Sequence, residues 1–274
     1  MSGYLKSAAT KPPVTAPRLI DMKAAGEKIV VLTCYDAGFA AQCEAAGVDV
    51  VLVGDSLGNV VQGRESTLPV TLDDMVYHTA AVKRGLSTPL LIADLPFMTY
   101  RDVDTALRSS ARLVAEGGAA MVKLEGADYV LDVINALDRR QVPVCAHLGL
   151  TPQSVHKFGG YRVQGKTKSA AERLIADAHA VEEAGASLLV LECVPAGLAK
   201  TITKELRIPT IGIGAGVDCD GQVLVLYDML GVTPGKRPKF SKDFLAGSGS
   251  VLDAIKAYAK AVRGGVFPAA EHSF

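Results

Sequence analysis

The chain has 274 residues with 29 basic and 29 acidic side chains, so its formal charge is zero. It therefore lacks the long-range attraction that duplex nucleic acid or an anionic membrane surface selects. Hydrophobic residues make up 49% and aromatics only 5%, with no tryptophan and 27 glycines, which leaves Ala, Val, Leu and Ile to build a core of stacked βα layers.

Five cysteines (Cys34, Cys43, Cys145, Cys193 and Cys219) are odd in number, far apart and without a CxxC pair, so they read as buried thiols in a reducing compartment. The opening MSGYLKSAAT lacks the apolar stretch of a signal peptide, and no segment is long and apolar enough to span a bilayer. The expectation is a soluble cytoplasmic protein. Residues 1–16 are expected to be a disordered or peripheral tail, although the absence of acidic residues before Asp21 is a feature shared with organelle transit peptides.

From Ile29 onward, β-branched runs alternate with amphipathic segments. The predicted strands are Ile29 to Cys34, Val48 to Val53, Pro89 to Asp94, Ala120 to Leu124, Pro143 to His147, Ser187 to Leu191 and Pro209 to Gly212. A weaker eighth lies near Val223 to Leu226, where the same run also reads as helix. Between them the pattern predicts helices over Ala37 to Ala46, Leu72 to Arg84, Val103 to Glu116, Tyr129 to Arg139, Ser169 to Ala184 and Gly197 to Leu206.

Three junctions repeat one design, in which an acidic residue, a glycine stop, an apolar strand and a carboxylate follow in order: EAAGVDVVLVGD, EGGAAMVKLE and EAGASLLVLE. About eight βα units in about 250 residues point to a (β/α)₈ barrel over residues 17–274 as one domain. A doubly wound open sheet would usually place a GxGxxG turn after its first strand, where this chain has Thr33, Cys34, Tyr35 and Asp36. The long connections Gly54 to Thr71 and Gly149 to Lys168 both follow strand C-termini and are candidate lids. The segment after Gly264 reads as a peripheral arm.

In a parallel barrel the C-terminal strand ends converge on one face, and here they carry Asp55 and Ser56, Asp94, Lys123 and Glu125, His147, and Glu192. Three hard carboxylates, Asp55, Asp94 and Glu125, would repel one another unless a cation joined them, and without His or Cys beside them they suggest Mg²⁺. The plainer alternative is that Asp55 and Asp94 cap turns. Lys123 and Glu125 lie two apart on a strand and share a face, which suits an anionic ligand or a simple ion pair. Glu192 closes an apolar strand, a setting that raises a carboxyl pKa toward that of a general base; a solvated loop Glu is the alternative. His147 suits a hydrogen bond to a substrate oxygen or a structural role. The glycines of IGIGAG, Ile211 to Gly216, suit either a phosphate cradle or tight packing.

Taken together, LVGDSLG (52–58), QGRESTLPVT (62–71), YHT (77–79), IADLPFM (92–98), MVKLEG (121–126), CAHLGLTPQSVHKFGGYRVQ (145–164), LVLECVP (189–195), IGIGAG (211–216) and EHSF (271–274) resemble the ketopantoate hydroxymethyltransferase family. The resemblance runs from about Ile29 to the C-terminus; Asn59 and Ala146 depart from the family's pattern, which concerns local loop shape. It implies a (β/α)₈ barrel related to the phosphoenolpyruvate mutase and isocitrate lyase group, a place in pantothenate and coenzyme A synthesis, and a large homo-oligomer, commonly a decamer. It also implies that 5,10-methylenetetrahydrofolate is the cosubstrate and that Mg²⁺ is held by Asp55, Asp94 and Glu125, the last directly or through water. Asp55, Ser56, Asp94, Lys123 and His147 would bind the oxo acid, and Glu192 would accept its proton. A Mg²⁺-dependent C–C lyase or aldolase acting on a 2-oxo acid is the alternative from the same residues. Lyases of that group carry a KKCGH loop, where this chain has GGYRVQG.

Overall fold

The computed structural model describes residues 12–235 and 237–274. Eight parallel strands close into a barrel in sequence order: β1 (Ile29–Thr33), β2 (Val50–Val53), β3 (Leu90–Asp94), β4 (Met121–Glu125), β5 (Val144–Gly149), β6 (Leu188–Glu192), β7 (Thr210–Ile213) and β8 (Gly221–Leu224). The helices are α1 (Ala16–Ala24), α2 (Ala37–Ala45), α3 (Leu57–Val60), α4 (Leu72–Arg84), α5 (Val103–Ala115), α6 (Leu131–Asp138), α7 (Val155–Phe158), α8 (Lys168–Glu183), α9 (Ala196–Glu205), α10 (Leu226–Met229) and α11 (Val251–Arg263). Six of them start on a Thr, Asp or Ser whose side chain accepts a first-turn N–H, and Thr71 with Asp74 completes a capping box on α4.

Two hydrophobic layers result. The outer one packs the strands' outward side chains against the helices, while the inner one fills the barrel with Ile29, Val31, Val50, Leu90, Ile92, Met121 and their neighbours. Leu19 and Met22 of α1 belong to the inner layer, so α1 stops the floor of the barrel. Of the expected tail, residues 1–11 lie outside the described residues. Beyond them Val14 donates its N–H to Thr88 O at 2.8 Å and packs on the inner layer, and Ala16 already begins α1.

Three expectations are corrected. The eighth strand lies two residues earlier than Val223 to Leu226, because Gly221 meets Ile29 and Ile211 where the barrel closes. A Cβ on Gly221 would stand 2.4 Å from Ile29 O, so this poor strand former is the residue that fits the seam. The repeat of eight βα units is also incomplete: residues 214–220 join β7 to β8 with no helix among the described residues. Lys28 tethers that loop, its ammonium donating to the carbonyls of Val217 and Cys219.

The third correction concerns the chain's end. After α11, which is absent from the predicted helices, Phe267 is buried against Phe244 and Tyr258, and Ala196 donates its N–H to Phe274 O at 2.9 Å. The last residues are thus strapped to the barrel's C-terminal face. Tyr258 of α11 directs its hydroxyl at Val31 O and Gln222 O, both at 2.9 Å, fastening the β1–β8 seam from outside. All five cysteines are buried and free, and no described helix is long and apolar enough to cross a membrane.

Candidate active site

Side chains two apart on a strand share a face, and this period builds the site. The inward positions read Leu90, Ile92, Asp94 on β3; Met121, Lys123, Glu125 on β4; Cys145, His147 on β5; and Leu188, Val190, Glu192 on β6. Each series runs from apolar to polar toward the strand's C-terminal end. Register then sets neighbours side by side, with Asp94 beside Lys123 and Glu125 beside His147. Asp55 and Ser56 arrive from the turn after β2. All seven residues singled out in the sequence, Asp55, Ser56, Asp94, Lys123, Glu125, His147 and Glu192, line one cavity of about 600 Å³.

The cluster is tightly connected. Lys123 Nζ stands 3.0 Å from Asp94 Oδ1 and 3.4 Å from His147 Nδ1. His147 bridges two carboxylates, with Nδ1 3.5 Å from Glu125 Oε1 and Nε2 3.3 Å from Glu192 Oε2. Asp55 donates its backbone N–H to Asp94 Oδ2 at 3.0 Å, and the hydroxyls of Tyr35 and Ser56 share a 2.9 Å bond. All of these carboxylates are buried except Glu192, whose side chain is 13% exposed at the cavity wall. Cys193, at φ 48°, turns the chain away immediately after it.

Burial without enough cations sets the electrostatics. Desolvation, with Asp94 and Glu125 nearby, pushes the Asp55 carboxyl up to about 8, against the pull of Lys123 and Gln153. Asp94 is also raised, by burial, although Lys123 and the Asp55 N–H oppose the shift. Burial and Lys123 act to lower His147, but Glu125 and Glu192 outweigh them and raise it to about 9. For Lys123, desolvation is overcome by Asp94, Glu125 and Asp55, so its ammonium is held charged.

Gln153 carries no charge or periodicity that marks it in the sequence, yet it ties the cluster together. Its Nε2 donates to Asp55 Oδ2 at 2.8 Å and to Leu95 O at 3.1 Å, and its backbone N–H donates to Glu125 Oε2 at 2.9 Å. Tyr100 donates its hydroxyl proton to Gln153 Oε1 at 2.5 Å, which fixes the amide's orientation. Among the described residues no three His, Cys, Asp or Glu side chains stand together so as to hold a metal ion, and Asp94 Oδ1, though ion-paired with Lys123, is buried without a hydrogen-bond partner.

Both long connections wall the cavity, through Asn59, Glu65 and Thr67 from one and Leu150, Tyr161 and Val163 from the other. The glycines of Ile211 to Gly216 are occupied by packing, the second of the two readings their sequence allows. At Gly214, with φ +62°, an added Cβ would meet Phe240 and Phe274 at 3.0 Å, and at Gly216 it would meet Ala196 at 2.6 Å.

The barrel is shared with distant solved structures. Phosphonopyruvate hydrolase, in complex with oxalate and Mg²⁺, aligns with TM-score 0.59 and 14% identity over 77% of this chain and 80% of its own. 2,3-Dimethylmalate lyase, a PEP mutase/isocitrate lyase superfamily member, aligns with TM-score 0.57 and 18% identity over 80% and 81%. Full-length sequence relatives are much nearer. The 3-methyl-2-oxobutanoate hydroxymethyltransferases of Paraburkholderia xenovorans and Paraburkholderia phymatum are 58% and 56% identical over 271 residues, 99% of this chain and 99% of theirs. The family model for ketopantoate hydroxymethyltransferase matches residues 13–270, a span that takes in the whole polar cluster and every strand beneath it, and the chain belongs to that family.

Proposed function

We propose that this chain transfers a hydroxymethyl group from 5,10-methylenetetrahydrofolate to 3-methyl-2-oxobutanoate, giving 2-dehydropantoate and tetrahydrofolate, in pantothenate and coenzyme A synthesis. The observation that carries the reading is the pairing, on one cavity wall, of a buried ammonium with a part-exposed carboxylate, Lys123 and Glu192, linked through His147. Family membership favours this transfer over the C–C lyase reading of the same residues.

The donor set fits Mg²⁺: the carboxylates are hard ligands buried beyond the charge that Lys123 and His147 supply, and Mg²⁺ takes one or two carboxylates and leaves places for water and substrate. Asp55 and Asp94 would hold it, with Glu125 acting directly or through water. When bound, it would polarise the 2-oxo group and make the C3 proton acidic.

The chain's own groups do the rest. Ser56 and Lys123 bind the oxo acid, and the Lys123 ammonium sits where negative charge grows on the 2-oxo oxygen. Glu192 removes the C3 proton, with the His147 ring, 3.3 Å from its Oε2, holding the carboxylate in place. Water adds to the methylene carbon and its bonds to the folate nitrogens break, leaving tetrahydrofolate and a one-carbon unit at the oxidation level of formaldehyde; C3 then bonds to that carbon, whose oxygen takes a proton and becomes the hydroxyl of the product. The cavity walls formed by the two long connections restrict water around the reacting carbon.

The test is NMR of 3-methyl-2-oxobutanoate in D₂O, with and without Mg²⁺ and without folate. Metal-dependent loss of the C3 proton signal, abolished in Glu192→Gln, is expected. Full exchange in Glu192→Gln would remove the base assignment, and absence of exchange in the unsubstituted enzyme, with methylenetetrahydrofolate present as well, would remove the proposed substrate.

A further inference from the structure

The polar cluster supplies only part of the cavity's lining, and a five-carbon oxo acid fills a minor part of 600 Å³. If the proposed transfer is right, the methylene carbon must reach C3, so the bicyclic ring that carries it lies in the same cavity. Buried there, the pterin edge presents two adjacent donors, N3–H and the 2-amino group, and both require acceptors. A carboxylate matches that pair of donors with its two oxygens.

Outside the polar cluster, the carboxylates lining the cavity are Glu65 and Asp228. Glu65 lies on the long connection after β2. Asp228 belongs to α10, which is fixed to the barrel where Leu226 donates its N–H to Thr33 Oγ1 at 2.9 Å. It is 8% exposed, and among the described residues no cation forms an ion pair with it, since nearby Arg237 pairs with Asp243 at 3.2 Å. Burial raises its carboxyl, with Thr233 and Arg237 opposing. The Thr67 hydroxyl, which lines the same cavity, is buried without a hydrogen-bond partner. A buried carboxylate without a cation and an orphaned hydroxyl in a substrate cavity mark a place prepared for a polar ligand edge. Phe240 and Phe274, packed on Gly214, supply aromatic lining to the same cavity.

We propose that Asp228 anchors the cosubstrate, its two carboxylate oxygens accepting from N3–H and the 2-amino group of the pterin, with the ring against Phe240. This rests on the transfer reading above. It assigns the outer half of the cavity to the folate and leaves the inner half to the oxo acid.

Calorimetric titration with tetrahydrofolate, under exclusion of oxygen, tests it. Asp228→Asn keeps the shape but replaces one acceptor by a donor, so Kd is expected to rise roughly 10- to 100-fold. On the unsubstituted protein, the 2-desamino-2-methyl analogue of tetrahydrofolate should lose a similar factor, and Asp228→Asn should cause little further loss with that analogue. A Kd within twofold of the unsubstituted value in Asp228→Asn, or two independent losses that simply multiply, would overturn the anchor. Deuterium exchange of the oxo acid in the unsubstituted enzyme, run without folate, reports separately on the transfer reading.

Discussion

Gln153→Leu removes a side chain that makes three hydrogen bonds while leaving its backbone N–H on Glu125. The bonds to Leu95 O and from Tyr100 are neutral, worth about 1 kcal/mol each, and the bond to the Asp55 carboxylate is worth about 1.5–3 kcal/mol. The added apolar contact of leucine returns about 1 kcal/mol. A net loss of about 2–4 kcal/mol follows, or roughly 5–10 °C in Tm for a chain of this size. Thermal scans in EDTA would measure it. Because Asp55 also loses the group that orients it, Mn²⁺ affinity followed by electron paramagnetic resonance is expected to fall 10- to 100-fold. Tyr100 supplies the internal control: in Gln153→Leu its hydroxyl is a stranded donor, so adding Tyr100→Phe should cost nothing further. An unchanged Tm and Mn²⁺ affinity in Gln153→Leu, or strict additivity with Tyr100→Phe, would refute the view that Gln153 is the tie between the two carboxylates.

Leu19 is fully buried at the barrel floor, so Leu19→Ala should cost about 2–5 kcal/mol in urea unfolding and leave the KM values unchanged, since apolar layers separate it from the polar cluster. A raised KM for the oxo acid would show that the floor and the site are coupled. His147 predicts a pH dependence in metal-free protein. Its folded pKa of about 9 lies above the unfolded value of about 6.5, so its contribution is complete below pH about 6.5 and is lost as pH rises toward 9. The stability difference between the unsubstituted protein and His147→Gln should shrink by on the order of 3 kcal/mol across that window, and parallel pH profiles would contradict the imidazolium.

The site was legible because strand periodicity is short-range. Once Asp94, Lys123, Glu125, His147 and Glu192 fall at the ends of apolar runs, a closed parallel barrel brings them together whatever the intervening helices do. Closure was less legible. Gly221 and Gln222 are poor strand formers, and they sit in β8 because the seam admits no Cβ at Gly221 and Tyr258 fastens Gln222 O from outside. The 13 residues of α11 bury Ala254, Ile255, Tyr258, Ala259 and Val262, a helical spacing that is present in the sequence. Gln153 is different in kind, because its importance lies in four hydrogen bonds to groups far apart in sequence, and no local pattern encodes those.

The two ends of the barrel carry opposite burdens. Along β3, β4 and β6 the inner positions begin with Leu90, Met121 and Leu188 and finish with Asp94, Glu125 and Glu192, so the apolar burial is placed low and the costly burial of charge is placed high. At the other end α1 seals the floor with Leu19 and Met22, and α11 closes the β1–β8 seam through the Tyr258 hydroxyl. Beside Gly214, at the start of the helix-free connection from β7 to β8, Phe240 and Phe274 pack on the chain. The glycine run thus serves packing at the point where the repeat loses a helix, and the two rings packed on it line the same cavity as the buried carboxylates.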